Sequence, residues 1–322
     1  MAMPWWYTPP GIMAWLLSPF SAVFRLLSAG RRWAYRRGWL RVQRLPVPII
    51  VIGNLTVGGT GKTPLTAAVA QLVAAWGYRP GIVTRGYGGQ PSAAPCEVKV
   101  SSDPHQVGDE PVLLAQYCPV VVDARRPRGA RQLIELGCDV ILADDGLQHY
   151  ALGRDIEVVV IDAERRFGNG YCLPAGPLRE PPSRLNTVDF IVANGQGRSG
   201  EYTMQVHTPR VVALLDAQRA QPLDAWRGQT VHAVAGIGHP ERFFQRLRAA
   251  GLQVMAHAFA DHHRFRRQDL EFADDHAILM TEKDAVKCRP FATHRHWMVP
   301  LEVELPDTLV TALAARLSSI RS

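Results

Sequence analysis

The feature that most restricts this chain is a glycine-rich loop, Thr56-Val57-Gly58-Gly59-Thr60-Gly61-Lys62-Thr63, set between an apolar β-branched run and a helical repeat. Ile49-Ile50-Val51-Ile52 before the loop reads as a strand buried in a parallel sheet. After the loop, Leu65, Ala68, Val69, Leu72, Val73 and Trp76 recur at helical spacing and stop at Gly77. Strand, glycine loop and helix in that order form a phosphate cradle. Backbone N–H groups face an anion at the positive end of the helix, Lys62 reaches the β and γ oxygens, and the Thr63 hydroxyl can ligate magnesium. The general pattern GxxxxGK[ST] places a glycine where this chain has Thr56, its one departure. Residues 56–63 are all nucleotide-binding candidates.

Such a site needs an acid at the end of a neighbouring buried strand. Val140-Ile141-Leu142-Ala143 runs directly into Asp144-Asp145, which puts two carboxylates at the carboxyl edge of the sheet. Spacing leaves open which of the two meets a metal. Further strands are expected at 81–84, 119–122 and 156–161, with helices at 110–117 and 126–136, the alternation of a doubly wound α/β fold. Residues 165–184 turn to Gly, Pro and Arg and read as a domain junction. Beyond them strands are expected at 190–193, 206–215, 231–235, 254–259 and 277–280, with helices at 240–249 and 307–317. At 322 residues the chain admits one large or two ordinary domains. The expectation is an α/β protein: a P-loop NTPase-like parallel-sheet domain over 45–165 and a second, smaller α/β domain over 166–322, whose last helix can return to the first.

The charge is unevenly distributed. Lys and Arg total 36 against 29 Asp and Glu, a net +7, yet residues 1–44 hold seven arginines and no lysine or acid, so the remainder is formally neutral. A neutral body lacks the broad positive face that nucleic-acid binding requires. Five of the eight tryptophans (Trp5, Trp6, Trp15, Trp33 and Trp39) share that basic end, and no residue from Met1 to Phe24 is charged. Indole and guanidinium beside an apolar run mark a membrane interface facing anionic lipid. A helix over 12–27, kinked at Pro19, is short for a full span, so it reads as interfacial, and residues 1–44 as a membrane-associating segment. A core helix is the plainer alternative. A signal peptide fits less well because the positive charges follow the apolar stretch. Five widely spaced cysteines offer neither a disulfide framework nor a CxxC metal pair.

Groups that could prepare an acceptor are scattered. Asp109 and Glu110 in Gly108-Asp109-Glu110-Pro111 open a helix, where Asp109 reads first as an N-cap. Asp261-His262-His263 follows a strand and offers an orienting imidazole. Arg85, in Thr84-Arg85-Gly86-Tyr87-Gly88, follows a strand and suits an acceptor that carries phosphate.

Together these strings resemble the tetraacyldisaccharide 4′-kinase family, the lipid A 4′-kinases of Gram-negative bacteria. The likeness runs from the Trp-rich N-terminus through Gly53-Asn54-Leu55-Thr56, Asp144-Asp145-Gly146-Leu147-Gln148-His149, Leu173-Pro174-Ala175-Gly176-Pro177-Leu178-Arg179-Glu180 and Ala235-Gly236-Ile237-Gly238 to Thr281-Glu282-Lys283-Asp284. The family carries Ser or Thr at the position of Thr56. The resemblance implies transfer of the γ-phosphate of ATP, with Mg2+, to the 4′-hydroxyl of a tetraacylated glucosamine disaccharide 1-phosphate, giving lipid IVA at the cytoplasmic face of the inner membrane. It implies Asp109 as base with His262 as partner, although His263 blurs that histidine assignment, and Lys62 as a phosphate-binding catalytic group. Thr63, Asp144, Asp145 and Glu110 become the metal candidates, and Arg85, Tyr87, Gln148 and His149 the acceptor-binding ones. An anionic membrane surface is expected as a partner; nucleic acid and protein partners are not. The alternative is a membrane-associated P-loop switch or partition-type ATPase without an acceptor site. A GTPase is disfavoured because Lys283-Asp284 does not match an Asn-Lys-x-Asp base-reading motif.

Overall fold

The computed structural model describes residues 4–90 and 93–321. Helix α1 (Ile12–Arg36) is followed by β1 (Ile49–Gly53), α2 (Lys62–Ala75), β2 (Pro80–Thr84), β3 (Cys96–Val98), α3 (Pro104–Val107), α4 (Asp109–Leu114), β4 (Val120–Val122), α5 (Arg126–Glu135), β5 (Val140–Asp144), β6 (Ile156–Asp162), β7 (Phe190–Asn194) and β8 (Tyr202–His207). Then come β9 (Arg210–Ala213), β10 (Ala220–Pro222), β11 (Thr230–Ala235), α6 (Pro240–Ala249), β12 (Gln253–Ala258), β13 (Ala277–Thr281), α7 (Glu282–Cys288), β14 (His296–Val299), β15 (Glu302–Glu304) and α8 (Asp307–Arg321). Two sheets result, a nine-stranded one in the order β15-β8-β7-β6-β1-β5-β2-β4-β3 and a six-stranded one in the order β10-β9-β14-β13-β11-β12. In the first, only the edge strands β3 and β15 run antiparallel to their neighbours.

All five residues of β1 and all five of β5 are buried, as expected for central parallel strands covered on both faces. Ile50 and Ile52 pack with Leu65, Val69 and Val73 of α2, whereas Ile49 and Val51 face Ala130 and Leu133 of α5. The six-stranded sheet has its own core, in which Val231, Ala233 and Leu279 meet Phe243, Phe244 and Leu247 of α6.

The structure corrects four expectations. The chain does not change sheets at residue 166: β7 and β8 extend the first sheet beside β6, with Val158 opposite Phe190, and the second sheet begins only at β9. The Gly/Pro-rich stretch is packed rather than a linker. Cys172 and Leu178 are buried with Leu55, Leu147 and Val159, and Pro177 accepts a hydrogen bond from the Val57 N–H. Glycine and proline content reports backbone shape and cannot distinguish a junction from a loop folded against its own domain. The expected strand over 206–215 is two, β8 and β9, one in each sheet. Helix α1 continues past residue 27 to Arg36 and runs through Pro19. Pro19 cannot donate to the Trp15 carbonyl, and the Ser18 hydroxyl does so instead at 2.8 Å.

The final helix returns to the first domain, where Leu309, Leu313 and Leu317 join the core of Ile50 and Val69. Truncating Leu313 removes a fully packed side chain from that core and is expected to cost about 2–5 kcal/mol. Ser318→Ala, on the exposed face of α8, should stay within about 0.5 kcal/mol. Urea unfolding followed by tryptophan fluorescence distinguishes the two outcomes.

Candidate active site

The P-loop begins where β1 ends at the carboxyl edge of the sheet. Gly61, the N-cap of α2, adopts φ +97° and Gly58 φ +95°, left-handed conformations that bend the chain into a concave turn. Lys62 and Thr63 form the first turn of α2. The Lys62 ammonium lies 3.6 Å from Asp145.

The two adjacent aspartates occupy different environments. Asp144 ends β5, is buried, and accepts a hydrogen bond from Thr66 at 3.0 Å. Burial, then the charges of Glu110 and Asp145, push its carboxyl above the usual range despite Lys62 and Arg126. Asp145 leaves the strand at φ +47° and faces Lys62 and Arg179, with Arg179 at 2.9 Å. Burial opposes its ionisation, but these two cations hold it down to about 2. Beneath both, the buried Arg126 donates to the carbonyls of Val83 at 2.9 Å and Asp144 at 2.6 Å, tying β2 to β5.

Across the cleft, His262 Nδ1 stands 3.1 Å from Asp109 Oδ2. The residues are 153 positions apart and come from different domains, so only the fold can join them. His263 instead pairs with Asp269 at 3.1 Å. The N-cap reading of Asp109 fails: Gly108 is the N-cap of α4, and Asp109 is its first helical residue, with Oδ1 receiving the Glu110 N–H. Burial pushes the Asp109 carboxyl up, but the hydrogen bond from His262 and the charges of Lys283 and Lys287 outweigh it and hold the pKa at about 2. The same hydrogen bond raises the pKa of His262 against the effect of burial. Lys287 lies 3.9 Å from Asp109 and 2.8 Å from Asp284, and Lys283 is ion-paired with Glu110. Helix α7 thus brings two lysines from the second domain onto α4.

Lys62, Asp144, Asp145 and His262 share a cleft of about 2040 Å³ whose lining also includes Arg85, Tyr87, Gln148 and His149, whereas Asp109 is buried next to His262. The four acceptor candidates differ in freedom. Tyr87 is 71% exposed, with its ring 5.5 Å from that of His262. Gln148 is engaged by the Asn54 carbonyl at 3.1 Å, Glu180 and Arg179. Burial, followed by repulsion from Arg126 and Arg31, pushes His149 down to about 4 and keeps it neutral at pH 7. Arg179, Arg126, Lys283 and Lys287 were not singled out from the sequence. Arg179 and Lys283 lay within family strings but carried no assigned role, and nothing local signals that the short helix bearing Lys283 and Lys287 packs next to Asp109.

A parallel sheet, a P-loop at its carboxyl edge and a carboxylate–imidazole pair facing it define a P-loop phosphotransferase. The sequence profile described as tetraacyldisaccharide-1-P 4′-kinase matches residues 13–318. The tetraacyldisaccharide 4′-kinase of Nitrosococcus oceani is 51% identical over 305 residues, covering 94% of this chain and 89% of the relative. That of Stenotrophomonas maltophilia is 48% identical over 330 residues, with coverage of 99% and 97%. The crystal structure of "apo" form LpxK from Aquifex aeolicus in complex with ATP aligns with a TM-score of 0.82 at 26% identity, over 95% of this chain and 100% of that one. The chain belongs to the tetraacyldisaccharide-1-P 4′-kinase family.

The loop geometry yields a test. At Gly61 a Cβ would meet the Asn194 side-chain nitrogen at 2.6 Å, at a φ that L-residues rarely adopt. Gly61→Ala is expected to cost about 1–2 kcal/mol of backbone strain and to weaken ATP binding by about tenfold or more through displaced amides. Nucleotide titration against the wild-type chain measures the loss.

Proposed function

We propose that this chain transfers the γ-phosphoryl group of ATP to the 4′-hydroxyl of a tetraacylated glucosamine disaccharide 1-phosphate, producing lipid IVA. The observation that carries the reading is the Asp109–His262 pair, whose imidazole lines the same cleft as the P-loop while the buried Asp109 carboxylate holds it from behind by hydrogen bond. A switch or partition ATPase has no use for a preformed acceptor-activating pair. Lys62 and the P-loop amides hold the β and γ oxygens, so that positioning and charge neutralisation supply most of the catalysis. Asp109 and His262 take the hydroxyl proton as one coupled unit. His262 is its resting place, since its pKa is raised and that of Asp109 lowered.

Magnesium fits the donors present. Among the described residues no group of three His, Cys, Asp or Glu is arranged to hold a metal alone, which suits an ion bound through one or two carboxylates plus phosphate oxygens. The buried Asp144, costly to ionise beside Glu110 and Asp145, is the carboxylate that a cation would relieve, and Thr63 of the P-loop lines the same cleft. Bound there, magnesium would neutralise charge between the β- and γ-phosphates. Glu110 is the weaker candidate because Lys283 already holds it.

We also place the chain on an anionic bilayer at the cytoplasmic face of the inner membrane. Ile12, Trp15, Leu16, Phe20, Leu26 and Leu27 of α1 are each at least 64% exposed. Ala14 and Ser21 on the opposite side are buried, with the Ser21 hydroxyl donating to the Cys172 carbonyl at 2.8 Å. At 25 residues α1 is long and apolar enough to cross a membrane, but the side through Ala14, Ser21 and Phe24 is held against its own domain, which favours an interfacial placement over a span.

Labelled ATP and the disaccharide 1-phosphate in detergent micelles test the reaction. The pair gains capacity for a proton only as His262 loses its own, so kcat/KM should rise with pH along a limb centred above 6.5, the ordinary histidine value. Asp109→Asn should move that limb down towards 6.5 and lower the rate. The Asp109→Ala/His262→Ala double variant should be little slower than the slower single one. Multiplicative losses would assign the two residues independent roles.

Vesicle sedimentation tests the placement. Arginines near an anionic surface contribute about 1 kcal/mol each, so binding to phosphatidylglycerol vesicles should weaken in high salt; Phe20→Asp, which removes apolar contact and adds a repelled charge, should weaken it as well, without change in ATP affinity. Salt-resistant binding that Phe20→Asp leaves undiminished would exclude the interfacial helix.

A further inference from the structure

The P-loop carbonyls have partners that no motif records. In a planar trans peptide the N–H points opposite the preceding carbonyl, so whatever grips the outer carbonyls also aims the inner N–H groups. Four consecutive carbonyls are gripped, each by a side chain from a different segment. The Tyr7 hydroxyl reaches Val57 O at 3.4 Å, Asn54 Nδ2 reaches Gly58 O at 3.5 Å, the Arg165 guanidinium donates to Gly59 O, and Asn194 Nδ2 donates to Thr60 O at 3.1 Å. Arg165 is the only charged donor among the four. It does not line the cleft, so it acts on a ligand only through the loop.

Arg165 is itself held. Asp162, buried at the end of β6, binds its Nε at 2.9 Å and its backbone N–H at 3.0 Å. The same carboxylate accepts both arms of Arg242, from α6 of the second domain, at 3.0 and 3.2 Å. Arg165 also meets His239, the N-cap of α6, and lies 5.2 Å from the centre of the Tyr7 ring. One guanidinium therefore touches the P-loop, the end of β6, the second domain and the N-terminal segment.

We propose that Arg165 is a positioning residue for the nucleotide phosphates: by holding the Gly59 carbonyl outward it directs the Thr60 N–H into the phosphate site, and Asp162 fixes its orientation. The charge on the carbonyl side also polarises that peptide unit and strengthens its N–H as a donor. The proposal rests on the P-loop reading above and adds to it a residue outside the motif.

Arg165→Ala is the test, with ATP affinity measured by calorimetry and KM measured separately for ATP and acceptor. Arg242 still pairs with Asp162 in this variant, so no buried carboxylate is stranded. ATP should bind about tenfold more weakly, the loss of a charge-assisted hydrogen bond, while the acceptor KM stays within about twofold. Guanidinium chloride at tens of millimolar should restore part of the affinity, whereas the same concentration of sodium chloride should not; a purely structural defect would respond to neither. Arg165→Lys keeps the charge but loses the fork, and should fall between. If Arg165→Ala does not fold, Arg165→Lys is the deciding variant: ATP affinity at least about threefold below wild type supports the proposal, and wild-type affinity overturns it. A folded Arg165→Ala that binds ATP as wild type does, or that loses acceptor and ATP affinity equally, overturns it too. Failure of the wild-type chain to bind ATP would instead overturn the P-loop reading.

Discussion

Everything at this site depends on the unsatisfied amides at the start of α2. A helix that begins on a glycine in the left-handed region leaves its first N–H groups without intrahelical partners, and a buried parallel strand delivers them to the open edge of the sheet. The surrounding structure keeps those donors free. Protein donors occupy the outer carbonyls from Val57 to Thr60, so the loop cannot collapse into a turn that satisfies itself. Lys62 sits at the same point, counterbalanced by Asp145 until phosphate arrives.

Two consecutive aspartates show how backbone geometry divides chemical roles. Asp144 retains strand geometry and is drawn inward to Thr66, where burial disfavours its charge. One residue later the backbone turns to φ +47°, and Asp145 swings to the cations Lys62 and Arg179. The same side-chain chemistry thus yields one carboxylate that is hard to ionise and one that stays ionised in moderately strong acid. Spacing alone left the pair undivided because the division is made by a single dihedral angle and by Arg179, which arrives from 34 residues away.

Local signals made much of this architecture readable before any coordinates: the β-branched runs of β1 and β5, the glycine loop and the periodic face of α2 each specify their own conformation. Asp109 and His262 could be nominated from their own segments but were joined only by the family resemblance, since their meeting depends on how two separately folded sheets are docked. The domain boundary was misread for a related reason. Hydrophobic periodicity identifies β7 and β8 as strands but not the sheet to which they hydrogen-bond, and the Gly/Pro content of 165–184 concealed the burial of Cys172 and Leu178. Lys283 sat in a family string without a role, and Lys287 carried no local signal at all. Their spacing on α7 matters only because α4 lies alongside it and presents Glu110 and Asp109.

The N-terminal helix follows the same logic at a larger scale. Its composition marks it as a candidate for membrane contact, but composition does not say how it faces the cleft. Phe24, Ser28 and Arg31 help to line that cleft, while Leu16, Phe20 and Leu27 point away from the body. One helix therefore presents apolar surface outward and a mixed apolar, hydroxyl and cationic edge to the site where phosphate chemistry is assembled. The Trp6 indole, buried and bonded to the Pro174 carbonyl, fixes the start of this segment to the loop that also carries Arg179. The apolar helix and the P-loop thus share a rigid connection through residues 168–179. The orientation that favours apolar contact also sets the direction in which the cleft opens, and an amphiphilic acceptor needs both to be set at once.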